Sequence, residues 1–327
     1  MTILVTGGTG FLGTALVTEL MRQGEEIRVL ARDEKKARER FGKAVKVIQG
    51  EITDRAQVSA AVEDATLIYH LAGIPYQASV PDEVYQQTHV EGTRILLDAC
   101  QNQKLLRFVY CSSAGVLGET GSTPGTEDAP VAPTNIYERT RLEGEVLALQ
   151  AHRTRNIPVT VVRPGLVYGP GDSRLLSLFA TIKKGSFLPL VAGGKALLQP
   201  VYIDDLIRAF LLCAEPAEAI GHSYNIAGAS TVTFHEFAQC IAQSLHKSLR
   251  AGSVAPWLAD LAMPTLALLP AFKGEKSPFA QSRVDFMTQS RVYSIERARN
   301  ELAYTPRVGL DEGLKRTAEW YQKHGYL

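Results

Sequence analysis

The first half of the chain alternates short runs of β-branched and aliphatic residues with longer stretches of helical periodicity. Since parallel strands need crossover connections, this alternation predicts an α/β fold, a doubly wound parallel sheet with helices on both faces. The first helix is predicted from about Phe11 to Gln23. The strands are predicted at Ile3–Val5, Ile27–Leu30, Val45–Ile48, Leu67–His70, Phe108–Cys111 and Val159–Val162.

After residue 171 the alternation becomes irregular. Strands at Gln199–Ile203 and near Ser223–Ile226 are expected to return to the sheet, and the remainder is mainly helical and rich in Leu and Ala. This pattern predicts two domains. The first is a sheet domain, 1–170 with returning segments at about 199–229, and the second is a smaller, mainly helical domain, 171–198 and 230–327. A substrate pocket is expected where the second covers the carboxyl edge of the sheet.

Composition and charge exclude several classes of protein. The 35 Lys and Arg balance the 34 Asp and Glu, so binding to nucleic acid through bulk charge is not indicated. The four cysteines are scattered and the seven histidines form no HxH or HxxxH pair, so no metal site is expected. We find no signal peptide and no membrane span, which predicts a cytoplasmic protein. The apolar segment 255–272 is a candidate for peripheral membrane contact or for lining an apolar pocket.

A glycine-rich turn follows the first predicted strand and opens the first helix. Its glycines fit both Gly-x-x-Gly-x-x-Gly and Gly-x-Gly-x-x-Gly. Glycine allows the backbone to approach a pyrophosphate closely, and the free N–H groups of the helix N-terminus bind it. The turn therefore predicts a dinucleotide site of the Rossmann type, with contacts from Gly7, Thr9, Gly10, Phe11, Leu12 and Gly13.

The end of the second strand indicates which dinucleotide binds. An acidic residue there would bind the ribose 2′-hydroxyl of NAD, whereas an arginine accommodates the 2′-phosphate of NADP. Here the strand leads into Arg32, with Lys35 and Lys36 close behind, and Asp33 lies past the usual acidic position. NADP is therefore favoured, with NAD as the alternative.

Together with these residues, further motifs resemble the extended short-chain dehydrogenase/reductase family nearly end to end. They are Gly50-Glu51-Ile52-Thr53-Asp54, His70-Leu71-Ala72-Gly73, His89-Val90-Glu91-Gly92-Thr93, Ser112-Ser113-Ala114-Gly115-Val116, Arg163 through Gly171, Val201-Tyr202-Ile203-Asp204-Asp205 and Tyr304-Thr305-Pro306. The resemblance implies a homodimer. It also implies cofactor contacts from Glu51, Ile52, Leu71, Ala72, Gly73, Pro164 and Val167.

The same resemblance implies a catalytic group of Ser113, Tyr137 and Arg141, with Tyr137 and Arg141 also contacting the cofactor. Family members carry a lysine where this chain has Arg141, and commonly an asparagine where it has His89. Tyr137 would be the acid/base, because a nearby cation favours the phenolate of a side chain that otherwise titrates near 10. Ser113 would hydrogen-bond the substrate oxygen during hydride transfer. Asp204 and Asp205 are expected to be structural rather than metal ligands.

Two enzymatic branches fit this scaffold. Nucleotide-sugar epimerases and dehydratases usually carry an arginine four residues before the aromatic that precedes the Asp-Asp pair, and here that position holds Leu198. A later aspartate of that branch is replaced by Ser294. The chain is closer in pattern to 3β-hydroxysteroid dehydrogenases and dihydroflavonol-type reductases, which carry an apolar C-terminal segment. We therefore expect an NADP-dependent oxidoreductase acting on a secondary alcohol or ketone of a fairly apolar small molecule. The alternatives are a nucleotide-sugar epimerase/dehydratase and a non-catalytic dinucleotide-binding module.

Overall fold

A seven-stranded parallel sheet forms the centre of the computed structural model, which describes residues 1–257 and 281–327. Within these residues the strands are β1 (Thr2–Thr6), β2 (Glu26–Ala31), β3 (Val45–Gln49), β4 (Leu67–His70), β5 (Arg107–Cys111), β6 (Val159–Pro164), β7 (Leu166–Tyr168), β8 (Leu188–Val191), β9 (Leu197–Leu198), β10 (Pro200–Tyr202), β11 (Ser223–Ile226), β12 (Val232–Thr233) and β13 (Ala251–Val254). The helices are α1 (Phe11–Arg22), α2 (Glu34–Phe41), α3 (Arg55–Val62), α4 (Asp82–Tyr85), α5 (Gly92–Cys100), α6 (Ile136–Arg155), α7 (Leu176–Lys183), α8 (Ile203–Ala214), α9 (Phe234–Ser244), α10 (Gln281–Thr288), α11 (Glu296–Leu302) and α12 (Leu310–Lys323).

The large sheet has the strand order β11-β6-β5-β4-β1-β2-β3. The chain runs outward from β1 through β2 to β3, then returns to the other side of β1 and continues outward from β4. The predicted doubly wound α/β fold is therefore confirmed, and the order of the strands reverses between β1 and β4. In sheets of this kind, ligands bind in the crevice outside the carboxyl ends of the strands at that reversal.

The sheet is buried on both faces, which explains its continuous apolar strands. In β1, Ile3 and Val5 pack on the face covered by α1 and α8, and Leu4 packs on the face covered by α3, α5 and α6. Strands β4 and β6 are buried along their whole length. This packing fixes the carboxyl ends of the central strands, from which the candidate site is built.

The second half of the chain forms smaller units beyond the carboxyl end of β6. Strand pairs β7–β10, β9–β12 and β8–β13 are joined to α7, α9 and the last three helices. The predicted return of Ser223–Ile226 to the sheet is confirmed, because β11 pairs in parallel with β6. The expectation for Gln199–Ile203 is wrong in one respect. Its strand Pro200–Tyr202 pairs with β7, which has already left the large sheet after Gly165.

The sequence analysis made two predictions about membranes, peripheral contact by segment 255–272 and the absence of a membrane span. The apolar segment 255–272 lies outside the described residues beyond Trp257, whose side chain is exposed. Among the helices that the structure does describe, none has the length and apolar character needed to cross a bilayer.

Candidate active site

The glycine turn after β1 touches the loop after β4. Gly7 has a φ of +71°, and a Cβ there would lie 2.7 Å from the backbone nitrogen of Ala72. A Cβ on Gly13 would lie 2.1 Å from the carbonyl oxygen of Gly7. Both positions therefore require glycine, since a real Cβ never approaches backbone atoms so closely. The turn therefore lies between the carboxyl ends of β1 and β4, where the strand order reverses.

The N-terminus of α1 faces this turn without a neutralising group of its own. Its N-cap residue is Gly10, which supplies no side-chain cap, and no acidic residue occupies the first turn of α1. The N–H groups and the positive end of the helix dipole are thus available to an anion. This arrangement fits the pyrophosphate of a dinucleotide.

Buried hydrogen bonds hold the ends of β1 and β4 together beneath the turn. The Thr6 hydroxyl lies 2.7 Å from Nδ1 of His70 and accepts a hydrogen bond from the backbone N–H of Ala72. Nε2 of His70 lies 2.9 Å from the hydroxyl of Thr93. Burial, together with the charge of Arg141, lowers the pKa of His70 to about 3. The imidazole is therefore a neutral structural group at ordinary pH.

Ser113 and Tyr137 come from different elements that meet at Gly115. Ser113 follows β5, and its Oγ accepts a hydrogen bond of 3.1 Å from the N–H of Gly115. Tyr137 is the second residue of α6, which Asn135 caps by accepting from the N–H of Glu138. A Cβ on Gly115 would lie 3.2 Å from Ser113 Oγ and 3.0 Å from Glu138 Oε1. Ser113 is thus placed against the first turn of the helix that carries Tyr137.

Arg141 brings a buried positive charge to Tyr137. Its side chain is 6 % exposed, and Nη1 donates to the carbonyl oxygens of Cys111 at 3.0 Å and Ala72 at 3.3 Å. Its Cζ lies 5.6 Å from the centre of the Tyr137 ring, and its Nε is buried without a hydrogen-bond partner among the described residues. Burial acts to lower the pKa of Arg141, but Tyr137 and other neighbours raise it above its ordinary value. The guanidinium therefore stays charged.

His89 also packs against Tyr137. Its ring lies edge-to-face with the tyrosine, with 5.6 Å between centroids. The N–H of Ile74 donates to Nε2, so Nδ1 carries the proton and donates to the hydroxyl of Thr140 at 2.8 Å. Burial, followed by the charge of Arg141, holds the pKa of His89 far below its usual range. His89 is a neutral connector between the loop after β4 and α6, and it lies in a π-helical turn, Gln86–Glu91.

Three predicted cofactor contacts, Arg32, Glu51 and Ile52, follow β2 and β3 at the carboxyl edge of the sheet. Arg32 ends the β2 region and is exposed, while Asp33 caps α2 by accepting from the N–H of Lys36. Glu51 is exposed after β3, and Ile52 packs against Gly92 at the start of α5. The carboxylate of Asp33, the acidic residue next to Arg32, therefore already accepts a hydrogen bond from the backbone of α2.

The remaining predicted contacts are distributed over the glycine turn, α1, the loop after β4, and the segment from the end of β6 into β7. Leu71 is buried against the core, and Phe11 packs against Gly171 and the guanidinium of Arg174. Pro164 and Val167 are buried at the end of β6 and in β7. Thr9 and Leu12 are half-buried in the turn itself.

The sequence analysis missed an ion pair that anchors the middle of α6. Glu145 accepts from Arg163 at 2.6 Å, from the hydroxyl of Ser112 at 2.6 Å and from that of Ser223 at 3.2 Å. One carboxylate thus joins α6 to the carboxyl ends of β5 and β6 and to the first residue of β11. A signal for it was present, because Glu145 lies four and eight residues after Arg141 and Tyr137, on the same helical face.

A second missed ion pair joins the C-terminal region to the start of α6. Arg291 pairs with Glu138, the residue after Tyr137, and also donates to the hydroxyl of Thr134 at 3.2 Å. Its backbone forms a bridge with Leu198, which is buried and apolar. No local pattern could have found this pair, since its members are 153 residues apart.

The aspartates after β10 have structural roles in the described part of the chain. Asp205 is buried and accepts from the backbone N–H groups of Arg307 and Val308 at 2.9 to 3.0 Å. Asp204 lies in the first turn of α8, where a negative charge favours the helix dipole. The described residues contain no group of three or more His, Cys, Asp or Glu suited to a metal ion.

Comparisons with known proteins show what the chain is similar to. A family model described as "NAD dependent epimerase/dehydratase family" matches residues 3–227. The 3 beta-hydroxysteroid dehydrogenase/Delta 5-->4-isomerase of Mycobacterium tuberculosis is 30% identical over 98% of this chain and 90% of its own length. Human short-chain dehydrogenase/reductase family 42E member 1 is 28% identical over 99% of this chain and 88% of its own.

Solved structures share the fold across the chain. The UDP-glucuronic acid 4-epimerase of Bacillus cereus, in complex with UDP-glucuronic acid and NAD, has a TM-score of 0.80 at 24% identity. It covers 99% of this chain and 100% of its own. A UDP-glucose 4-epimerase of Thermotoga maritima, solved with UDP-glucose, has a TM-score of 0.82 at 21% identity and covers 99% of each chain.

Proposed function

Because the chain belongs to the NAD dependent epimerase/dehydratase family, within the extended short-chain dehydrogenases/reductases, we propose that it is an oxidoreductase acting on a secondary alcohol or ketone of a fairly apolar small molecule. The observation that carries this proposal is the buried Arg141 against Tyr137, next to the glycine turn at the reversal of the sheet. A buried cation close to a phenol favours the phenolate, which is what a tyrosine acid/base requires.

The residues present fit a nicotinamide dinucleotide. The cradle formed by Gly7 and Gly13 would be filled by any side chain, the N-terminus of α1 is uncapped, and Nε of Arg141 is buried without a partner among the described residues. Gly7 to Gly13 would hold the pyrophosphate, and Tyr137 and Arg141 would hold the nicotinamide end. When bound, the cofactor supplies or accepts the hydride.

The protein's own residues would handle the proton. Tyr137 gives its hydroxyl proton to the substrate oxygen in reduction and takes it back in oxidation. The charge of Arg141 attracts the negative charge that develops on the phenol oxygen as this proton leaves. Ser113 donates a hydrogen bond to the substrate oxygen and so orients it toward Tyr137. His89 is neutral and committed to Ile74 and Thr140, so it positions these groups and carries no proton.

We assign the cofactor preference to NADP. Arg32 is exposed at the end of β2, and no ion pair joins it to the residues that the structure describes. Asp33, the acidic residue that could have bound a ribose hydroxyl, instead caps α2. A free guanidinium at this point suits a 2′-phosphate.

The test is a fluorescence titration with NADPH and with NADH, on the natural protein and on Arg32→Ala. The variant is expected to bind NADPH about tenfold or more weakly, since a hydrogen-bonded charge pair is lost, with little change for NADH. Arg38→Ala is the matched control, because Arg38 is exposed on α2 and pairs with Glu34. Tighter binding of NADH than of NADPH by the natural protein, with no effect of Arg32→Ala on either, would overturn the NADP preference. Binding of neither cofactor would overturn the whole proposal.

The substrate class follows from the C-terminal region. Leu198 cannot pair with a diphosphate, and the neighbouring Arg291 is already engaged with Glu138. The similarity to 3β-hydroxysteroid dehydrogenases over nearly the whole chain supports a substrate of that apolar, polycyclic kind. We also propose that the sheet domain, 1–170 with about 199–229, binds the cofactor and that residues 171–198 and 230–327 bind the substrate.

Thermal shifts in the presence of cofactor test the substrate class. A 3β-hydroxysteroid is expected to raise Tm further, and UDP- or GDP-sugars are not. The opposite result would favour a nucleotide-sugar epimerase/dehydratase. A protein that binds cofactor but turns over no alcohol or ketone would be a non-catalytic dinucleotide-binding module.

A further inference from the structure

The backbone of Gly73 lies directly against the guanidinium of Arg141. Gly73 is in the loop after β4, one residue beyond Ala72, whose carbonyl oxygen Arg141 binds. A Cβ built on Gly73 would lie 1.9 Å from Nη2, 2.6 Å from Cζ and 3.0 Å from Nη1 of Arg141. Any side chain at position 73 would therefore have to displace the guanidinium.

Backbone conformation does not explain this glycine. The φ angle of Gly73 lies outside the left-handed region, so an alanine could adopt it without strain. Gly7 differs, because it has a positive φ and its Cβ would also meet backbone atoms. At Gly73 the three nearest atoms all belong to one side chain, that of Arg141.

Arg141 cannot move aside at low cost. Its Nη1 donates to two carbonyl oxygens, those of Ala72 after β4 and Cys111 at the end of β5. The residue is only 6 % exposed to solvent. A displaced guanidinium would lose both bonds while remaining buried. A lysine ends instead in a single nitrogen on a flexible stem, so it could reach one carbonyl and still leave room for a methyl group.

We propose that Gly73 is a positioning residue, and that residues 73 and 141 form a matched pair. The missing side chain at 73 is what allows an arginine to serve as the cation beside Tyr137. A change at either position alters what the other position tolerates. The steric pairing is independent of ligand, whereas its consequence for cofactor binding rests on the proposed function.

A double-mutant cycle tests the pairing, with the natural protein, Gly73→Ala, Arg141→Lys and the double variant. Two quantities are measured, the Tm of the cofactor-free protein and the Kd of NADPH by fluorescence. Gly73→Ala alone is expected to lower Tm by about 4 °C and to weaken NADPH binding by about tenfold. In the Arg141→Lys background the same change should leave both quantities nearly unaltered. Gly309→Ala is the control, because Gly309 has a negative φ and open space around its Cβ position.

Equal losses in both backgrounds, or no loss in either, would overturn the pairing. If Gly73→Ala fails to fold, folding of the double variant supports the pairing, and failure of both overturns it. If the natural protein binds neither NADPH nor NADH, the proposed function fails, but the Tm values of the four proteins still decide whether Gly73 and Arg141 are coupled.

Discussion

Two buried arginines, Arg141 in α6 and Arg163 in β6, use the same side chain in opposite ways. Arg163 and Arg141 are each 6 % exposed. Arg163 meets the carboxylate of Glu145 at 2.6 Å, whereas the hydrogen-bond acceptors described around Arg141 are carbonyl oxygens. The charge near Glu145 is balanced within the protein, so that region holds α6 on the sheet. Under the proposed function, the charge of Arg141 is left for an anion that forms on Tyr137 or arrives with a ligand.

The comparison indicates how to tell a structural charge from a functional one. Burying a cation without a counter-ion costs free energy, but the fold also does this at Arg28 and Arg107, whose buried guanidinium groups donate to carbonyl or hydroxyl oxygens. A paired charge at the same depth is part of the architecture. Burial without a carboxylate is therefore not enough to mark an arginine as functional, and the Tyr137 ring beside Arg141 is the additional feature.

The largest expected effect comes from removing each arginine in turn. Arg163→Met leaves Glu145 buried without its cation and should lower the free energy of unfolding by about 3 to 5 kcal/mol. Arg141→Met leaves two neutral carbonyl oxygens and should cost about 1 to 3 kcal/mol. Chemical denaturation measures both. The double variant Arg163→Met/Glu145→Met should recover most of the loss, since no lone charge remains. Equal losses for the two single variants would break the comparison.

Tyr137→Phe tests whether the charge beside it serves chemistry. The variant should lose about 10²- to 10⁴-fold in kcat/KM, because it removes the group that exchanges the proton. Its Tm should stay close to that of the natural protein, since Tyr137 is half-buried and its hydroxyl makes no hydrogen bond to the residues that the structure describes. Turnover of a true substrate at the natural rate would contradict the assignment.

The smallest effect is a change in how stability depends on pH. His89 is neutral when folded, because burial and the charge of Arg141 depress its pKa below the usual 6.5. Below pH 6.5 the unfolded chain therefore binds a proton that the folded protein refuses, so stability falls with falling pH by up to about 1.4 kcal/mol per pH unit. His89→Asn should make the slope of unfolding free energy between pH 6 and 5 shallower by up to that amount. Parallel slopes would show that His89 is not held neutral by its surroundings.

Much of the fold could be predicted because its signals are local. The predicted strands of the large sheet match β1 to β6 and β11, since strands buried on both faces read as short apolar runs. The strand at Pro200–Tyr202 was found, but its partner was not. Pairing depends on where β7 turns away, which the apolar pattern does not encode.

The candidate site divides in the same way. Ser113, Tyr137 and Arg141 could be named from their motifs, and the spacing of four places the last two on one helical face. The pairing of Arg291 with Glu138, the tautomer of His89 and the contact between Gly73 and Arg141 could not be named. Each of these depends on elements that are distant in sequence.

The sequence by itself determined the doubly wound fold and the glycine turn, because periodicity and spacing are properties of neighbouring residues. Its resemblance to the extended short-chain dehydrogenase/reductase family named the candidate catalytic side chains. Only the tertiary structure decided what surrounds those side chains. It places Arg141 between two carbonyl oxygens and Tyr137, and it commits Arg163 to Glu145. Charge compensation and steric room are set by residues that meet only after folding, so the order of residues along the chain does not reveal them.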